Sequence, residues 1–525
     1  MTIDAAVHER RWKILAVLSL SLVIIGLDNT ILNVALPSLQ EAFDASNSSL
    51  QWMVDAYMLV YAGLLLAAGT LGDRFGRKRA LQGGLALFGG ASLLALVVQS
   101  SGQLIAVRAV MGIGGAMIMP ATLSIIANVF PKEERAKAIG VWAAMASIGI
   151  GLGPLFGGLL LEWFDWQSVF LFNVPIAAAA FVLGARLVPE SRDPEPGRFD
   201  VPGTLLSVAA LVSLVYAVIE APARGWTDGL VLGCFGAGVL FAVAFVVVEL
   251  RRPEPMLDLS LLRDPRFGVA SAAISLASFA LFGGMFALTQ FLQDARGSSA
   301  LEAGAAMVPV AFGLIAGAGS STVLTARFGT RRITALGLLG LAALLTSSLL
   351  WSVDMPYWPL GVWFFALALF MGWVMGPATS SVMGAVPEDK SGVASAMNDV
   401  TRQVAGALGT AVIGSLIATL YTSNLGEAAS GLGSSLQAAA EDSVGQAQAV
   451  AATLPAGQGS ALSDAAGGAF TDALGVGFTV GAALALVAAV CVARFLPDAP
   501  RAARAAAGRV RPRAVPALAT GGTGR

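Results

Sequence analysis

Charge is what this 525-residue sequence has least of. Only 12% of its residues are Asp, Glu, Lys or Arg and 56% are apolar, whereas a soluble domain carries roughly 25% charged residues. That imbalance excludes a soluble enzyme, a disordered regulator and a secreted scaffold. The only histidine, His8, lies in a polar N-terminal stub, so no histidine-based metal centre is expected. The two cysteines, Cys234 and Cys491, fall in separate apolar runs near opposite membrane faces, which argues against a bond between them. A net charge of −1 leaves no basic field for nucleic acid. No HExxH, GxSxG or GxxxxGK[ST] pattern occurs, and the polar loops are too short for a catalytic domain, so an enzyme is not expected.

What is present is a series of apolar blocks. A helix needs about 20 apolar residues to cross the hydrocarbon core. Fourteen runs qualify, from 13–36 and 50–71 at the start to 392–420 and 470–494 at the end. They predict an all-α integral membrane protein, because lipid offers no partner for an unpaired backbone group. The alternation of a membrane barrel is absent. Of the 32 Lys and Arg residues, all but four lie on segments facing the same side as the N-terminus; Arg224 and Arg296 face the other side, and Arg108 and Arg402 fall within spans. The bias of basic residues toward the cytoplasm then puts both termini there. His8-Glu9-Arg10-Arg11 runs straight into a full-length span, which reads as a retained first helix rather than a cleaved signal.

The chain also echoes itself. Leu71-Gly72-Asp73-Arg74-Phe75-Gly76-Arg77-Lys78-Arg79 follows the second span, and Leu324-Thr325-Ala326-Arg327-Phe328-Gly329-Thr330-Arg331-Arg332 follows the tenth. The expected organisation is a stub over 1–12, a six-helix half over 13–188, two inserted helices over 200–249, a second six-helix half over 268–494 and a disordered cytoplasmic tail over 495–525. Related halves facing a central site are a transporter plan. The outward segment 421–469 is rich in Ala, Gly and Ser and has no Lys or Arg. It reads as a solvated linker with at most one weak helix, a substrate lid being the alternative.

Charges inside spans mark the candidate chemistry, since each costs about 2.5–3.5 kcal/mol at the bilayer centre and so faces an interior. They are Asp28 in the first span, Asp55 in the second, Arg108 in the fourth, and Asp399 with Arg402 at i, i+3 spacing in the thirteenth. An acid in a partly dry cavity can load a proton on one side and release it on the other. Structural hydrogen bonds and an internal salt bridge are the alternatives. In the fifth span Gly149, Gly153 and Gly157 recur every four residues and form a bare ridge for close helix approach, and Pro154 favours a kink. Asp73 stands among the basic residues of its loop, where it can pair with a neighbouring helix and latch one conformation. Trp52, Phe282, Phe286, Phe365 and Trp373 are candidates for an adaptable apolar pocket, with Asn33 and Tyr57 beside them; ordinary packing is the alternative.

These residues resemble those of a known family. Leu27 to Pro37, Gly69 to Lys78, Arg108 to Gly112 and Gly149 to Gly158 are similar to the motifs of the fourteen-span drug:proton antiporters of the major facilitator superfamily. Gln51 to Tyr57, Asn173-Val174-Pro175 and Asn398 to Gly409 look familial as well. The resemblance implies the major facilitator fold, two six-helix halves with two inserted helices. It implies proton coupling through Asp28 and Arg108; Asp55, Asp399 and Arg402 remain further candidates as charges inside spans. It also implies a cytoplasmic gate of Gly69, Asp73, Arg74, Gly76, Arg77 and Lys78, and an antiport helix shaped by Gly149, Gly153, Pro154, Gly157 and Gly158. Met111 departs from the pattern, which often has Gln there, and cannot join a polar relay. The expected activity is export of small hydrophobic or cationic drugs or antibiotics across a bacterial cytoplasmic membrane by a monomer. The proton gradient is its only energy source and no cofactor is needed. Uptake symport of a nutrient is the alternative, and a channel is disfavoured by the two-halves plan.

Overall fold

A backbone in lipid must bond to itself, and among the described residues every long element is a helix. The computed structural model describes residues 5–192, 200–252, 255, 257, 259–386 and 391–498. The chain runs through α1 (Ala5–Phe43), α2 (Asn47–Phe75), α3 (Arg77–Leu94), α4 (Ser101–Val129), α5 (Lys132–Trp163), the short α6 (Ser168–Leu171) and α7 (Asn173–Leu187). A pair follows, α8 (Val201–Arg224) and α9 (Gly229–Arg251). Then come α10 (Pro265–Gln290), α11 (Ala300–Ala306), α12 (Val308–Phe328), α13 (Thr330–Ser347), α14 (Tyr357–Gly384), α15 (Ser391–Ala429), α16 (Ser434–Asp442), α17 (Val444–Thr453) and α18 (Ala456–Phe495). Fourteen stretches are long and apolar enough to span a membrane, with α6–α7 and α11–α12 each counting as one. The expected N-terminal stub is helical from Ala5, and Arg11 anchors it to Glu134 at 2.8 Å. The expected tail lies outside the described residues from 499 onward.

Among the described residues two large apolar cores result, one centred on α1–α7 with part of α8 and one inside α10–α18, beside a small cluster between α8 and α9. The first core also takes in Phe282 and Phe286 of α10 and Ala407 and Ala411 of α15, so these four side chains are among those through which the halves meet. Helix α8 packs on both α2 and α15, while α9 packs on α8. The outer face of α9 is left bare, with Leu232, Val239, Leu240 and Leu250 all exposed. An apolar face of that kind belongs against lipid rather than water.

The sequence echo is an echo of structure. Arg74-Phe75-Gly76 and Arg327-Phe328-Gly329 each close a helix on a glycine of positive φ, 121° and 95°, a conformation that other residues avoid. The amide that follows each turn is bonded by an acid from beyond the last helix of its own half. Lys78 N–H donates to Glu190 Oε1 at 3.3 Å, and Arg331 N–H donates to Asp498 Oδ1 at 3.2 Å.

Segment 421–469 departs from the expected linker. It is helical nearly throughout: α15 runs on to Ala429, α16 and α17 follow, and α18 starts at Ala456. Alanine is the strongest helix former, and Ala440, Val444, Ala447 and Val450 give the two short helices a buried side. The resulting cap hangs from the second half through Tyr421 Oη to the Ala440 carbonyl, 2.9 Å, and Ser463 Oγ to Gln448 Oε1, 2.6 Å. It reaches the first half at three points. Gln40 Nε2 donates to Ser443 Oγ at 2.5 Å, Asn47 N–H donates to Asp442 Oδ2 at 3.1 Å, and Gln446 Nε2 donates to Asp44 Oδ1 at 2.9 Å. Burial holds the Asp442 carboxyl above its ordinary range; the Asn47 amide opposes that and Asp44 adds to it.

Cysteines placed at Gln40 and Ser443, with Cys234 and Cys491 replaced by serine, are expected to be joined by a short thiol-reactive cross-linker. The mobility of the denatured chain on a gel reads the bond. A solvated linker would give no product.

Candidate functional site

The sequence leaves a charge in the middle of α1 and another early in α4, and the fold brings them together. Asp28 and Arg108 are each 1% exposed, and Arg108 Nη1 meets Asp28 Oδ2 at 2.5 Å. The other carboxylate oxygen, Oδ1, accepts from Asn173 Nδ2 at 3.1 Å. Arg108 has two further partners on α2. Its Nε donates to the Met53 carbonyl at 3.0 Å, and its guanidinium carbon lies 4.6 Å from the centre of the Tyr57 ring. Gly112, one turn along α4, permits this closeness, because a methyl group there would lie 2.7 Å from the Tyr57 carbonyl oxygen. Met111 is fully buried in the apolar core.

The other charged candidates stand apart from this cluster. Asp55 is fully buried, and neither carboxylate oxygen has a hydrogen-bond partner among the described residues. It lies one turn along α2 from Gln51, whose Oε1 accepts from Ser415 Oγ of α15 at 3.3 Å. One turn returns a helix to the same face, so Asp55 is on the side of α2 that meets the second half. Asp399 and Arg402 pair at 3.1 Å along α15, while Arg402 Nε finds no partner. Among the described residues no group of three His, Cys, Asp or Glu is placed to hold a metal.

Helix α5 carries two glycine faces rather than one. Gly149, Gly153 and Gly157 lie against α1: an added methyl group would be 2.7 Å from the Val23 carbonyl at Gly149, would strike Thr30 Oγ1 at Gly153 and would be 3.0 Å from Ile31 at Gly157. Pro154 supplies no N–H, which frees the carbonyl of Ile150 one turn back. Thr30 Oγ1 donates to that carbonyl at 3.0 Å. The second face turns to the other half. A methyl group at Gly158 would meet the Ala300 carbonyl at 2.5 Å, one at Gly151 would meet Ala311, and one at Gly304 would strike the Pro154 carbonyl. The ridge expected from four-residue spacing therefore binds α5 to α1, and Gly151, Pro154 and Gly158 form one of the contacts between halves.

The loop after α2 is tied into its own half. Arg77 Nε meets Asp73 Oδ1 at 2.7 Å, Arg77 N–H donates to the Ser191 carbonyl at 2.9 Å, and Lys78 Nζ donates to the Ala185 carbonyl at 2.7 Å. Asp73 thus pairs with the first turn of the next helix. Arg74 lies 5.8 Å from the Phe75 ring, and Gly69 packs on Pro120.

The expected pocket residues are not gathered in one place. Trp52 Nε1 donates to Glu220 Oε1 of α8 at 3.3 Å. Trp373 Nε1 donates to Ser320 Oγ at 2.9 Å, between α14 and α12. Phe365 is 37% exposed and faces outward. An aromatic inside an apolar helix does not reveal its direction, which the rotation of the helix decides. Phe282, Phe286, Tyr57 and Asn33 are buried, and the first three belong to the core shared by both halves. Asn173, which completes the shell of Asp28, carried no charge to single it out in the sequence.

Comparison with known proteins adds three findings. Residues 18–410 match the family described as the Major Facilitator Superfamily. The chain is 38% identical over 485 residues to a protein named multidrug efflux pump LfrA of Mycolicibacterium smegmatis, covering 92% of this chain and 96% of that one. It is 33% identical to the tetracenomycin C resistance and export protein of Streptomyces glaucescens (92% and 91% covered) and 36% identical to the methyl viologen resistance protein SmvA of Salmonella typhimurium (92% and 97% covered). Among solved structures, a bacterial homologue of the human lysosomal transporter Spinster, inward-facing and occupied, superposes with a TM-score of 0.61 at 18% identity, over 92% of this chain and 96% of that chain.

The α1–α5 contact makes a stability prediction. Thr30→Val keeps the side chain's shape and removes the donor to the Ile150 carbonyl, and is expected to cost about 1–3 kcal/mol. Gly140→Ala lies on the same helix with open space around it and is expected to be neutral or to stabilise by roughly 0.5–1 kcal/mol. Thermal melting of the purified protein distinguishes them. Identical melting of Thr30→Val and the parent would remove the hydroxyl from the account.

Proposed function

This chain belongs to the major facilitator superfamily, and from that premise we propose that it is a proton-coupled antiporter exporting small hydrophobic or cationic drugs or antibiotics. It works across the cytoplasmic membrane of a bacterial cell by alternating access, with both termini in the cytoplasm. The names of its relatives support export over uptake. The bias of Lys and Arg toward the side of the termini supports the orientation.

The observation that carries the coupling is the set of partners around Arg108. Removing one member of a buried ion pair strands the other charge, at a cost of several kcal/mol. Here the guanidinium also holds the Met53 carbonyl and the Tyr57 ring face. A proton arriving at Asp28 neutralises the acid and releases Arg108 onto partners already in place. The pair can therefore open and close without isolating a charge. Asp55 is the second candidate carrier, since no group among the described residues holds its carboxylate. The loop from Gly69 to Lys78 gates the cytoplasmic side, and Gly151, Pro154 and Gly158 bear the rocking of one half on the other. Both halves lie in one chain, so a monomer suffices. One proton crossing 100 mV supplies about 2.3 kcal/mol, enough for roughly 50-fold concentration of a neutral substrate at one-to-one coupling. No cofactor enters this scheme.

Reconstituted in liposomes under an imposed proton gradient, the protein is expected to release protons when cationic dyes are added, and Asp28→Asn is expected to abolish that release. Proton movement in the same direction as the substrate would replace antiport with symport. Undiminished release by Asp28→Asn would take Asp28 out of the mechanism.

A further inference from the structure

One side chain of the central cluster is not explained by the exchange between Asp28 and Arg108. Asn173 is fully buried and begins α7 where the sixth span breaks its run: α6 ends at Leu171, Phe172 intervenes, and Asn173 follows. Pro175, two residues on, supplies no N–H to the turn before it, so the chain is loosened at this point. The amide Nδ2 donates to Asp28 Oδ1, and the amide oxygen of Asn173 has no partner among the described residues. A buried asparagine that served only packing would be expected to use both ends of its amide. This one uses only its donor, and uses it on the acid.

The two oxygens of Asp28 are thus held differently. Oδ2 faces a cation, which can withdraw to Met53 and Tyr57. Oδ1 faces a neutral amide on a different helix. We infer that Asn173 is a positioning residue for proton exchange: it keeps Oδ1 of Asp28 in place throughout, so that Oδ2 alone alternates between Arg108 and a proton. The inference rests on the role proposed for Asp28. When the proton binds, an O–H bond forms at Oδ2, the carboxylate becomes a neutral acid, and Arg108 keeps its charge. The Asn173 donor still reaches Oδ1, now the carbonyl oxygen of the acid. Without Asn173 the neutral acid would be free to rotate, and Arg108 would have to recapture a displaced group.

A donor to a carboxylate favours the charged form, which gives the test a sign. The full-length protein in lipid is titrated with pH by difference infrared spectroscopy, and the carboxyl band of Asp28 is identified by its loss in Asp28→Asn. Asn173→Leu keeps the volume and removes the donor, and Asn173→Ala removes both. Each is expected to move the midpoint of that band upward by about one pH unit, a tenfold change in proton affinity. Asn173→Ser keeps a shorter donor and is expected to fall between them and the parent. Unmoved midpoints in Asn173→Leu and Asn173→Ala would overturn the inference, as would a parent that shows no titrating Asp28 band. Should these variants fail to fold, the parent protein decides: its protonated Asp28 band is expected at the frequency of a hydrogen-bonded acid, and a free-acid frequency overturns the inference. The liposome assay stands separately. Loss of the dye-driven signal in Asp28→Asn with unmoved Asn173 midpoints would sink this inference alone. Retention of that signal would sink the reading of Asp28 on which it rests.

Discussion

Two opposite charges buried where water does not reach have to satisfy one another, and the placing of Asp28 against Arg108 sets conditions on four helices at once. Moving either charge out of water costs several kcal/mol, and attraction repays this only when the remaining hydrogen-bonding capacity is met. The structure meets it from three sides: Asn173 on α7 for the acid, and Met53 and Tyr57 on α2 for the base. For that, α4 has to lie almost backbone to backbone with α2, which Gly112 permits. The first half is therefore specified by a polar requirement as much as by apolar packing, which tolerates exchange among residues of similar volume.

The proline of α5 shows the same economy at a smaller scale. A proline inside a helix costs a hydrogen bond, and in lipid the orphaned carbonyl has no water to turn to. Thr30 fills the need from α1. The kink and the close packing are thus parts of one arrangement, because the hydroxyl can reach the Ile150 carbonyl only where Gly153 leaves room for it.

How much of this was legible beforehand depended on what each residue signals by itself. Asp28 and Arg108 announce themselves because a charge in an apolar run is expensive wherever it points. The spans and the repeated turn at Gly76 and Gly329 were legible for similar reasons, since length, apolarity and an Arg-Phe-Gly sequence survive being read one residue at a time. Asn173 lies in a segment that looks familial, but its tie to Asp28 could not be read, because that partner is 145 residues away. Where Trp373 and Phe365 point could not be read from the sequence, because the rotation of α14 is fixed by partners on other helices. The cap over 421–469 was hidden by its composition: alanine with small polar residues is as compatible with solvated chain as with helix, and its buried side exists only once α15 and α18 stand beneath it.

The second face of α5 has a consequence for how the halves move past each other. Interdigitated side chains make an interface that holds one register or another and passes between them in jumps. Where Gly151 and Gly158 face Ala311 and Ala300, and Gly304 faces Pro154, an added methyl group would meet backbone atoms or an alanine methyl within 3.2 Å. Few rotamers have to be given up as one surface slides over the other. A surface with few rotamers to exchange resists sliding less than an interlocked one, as a plain bearing does beside a ratchet.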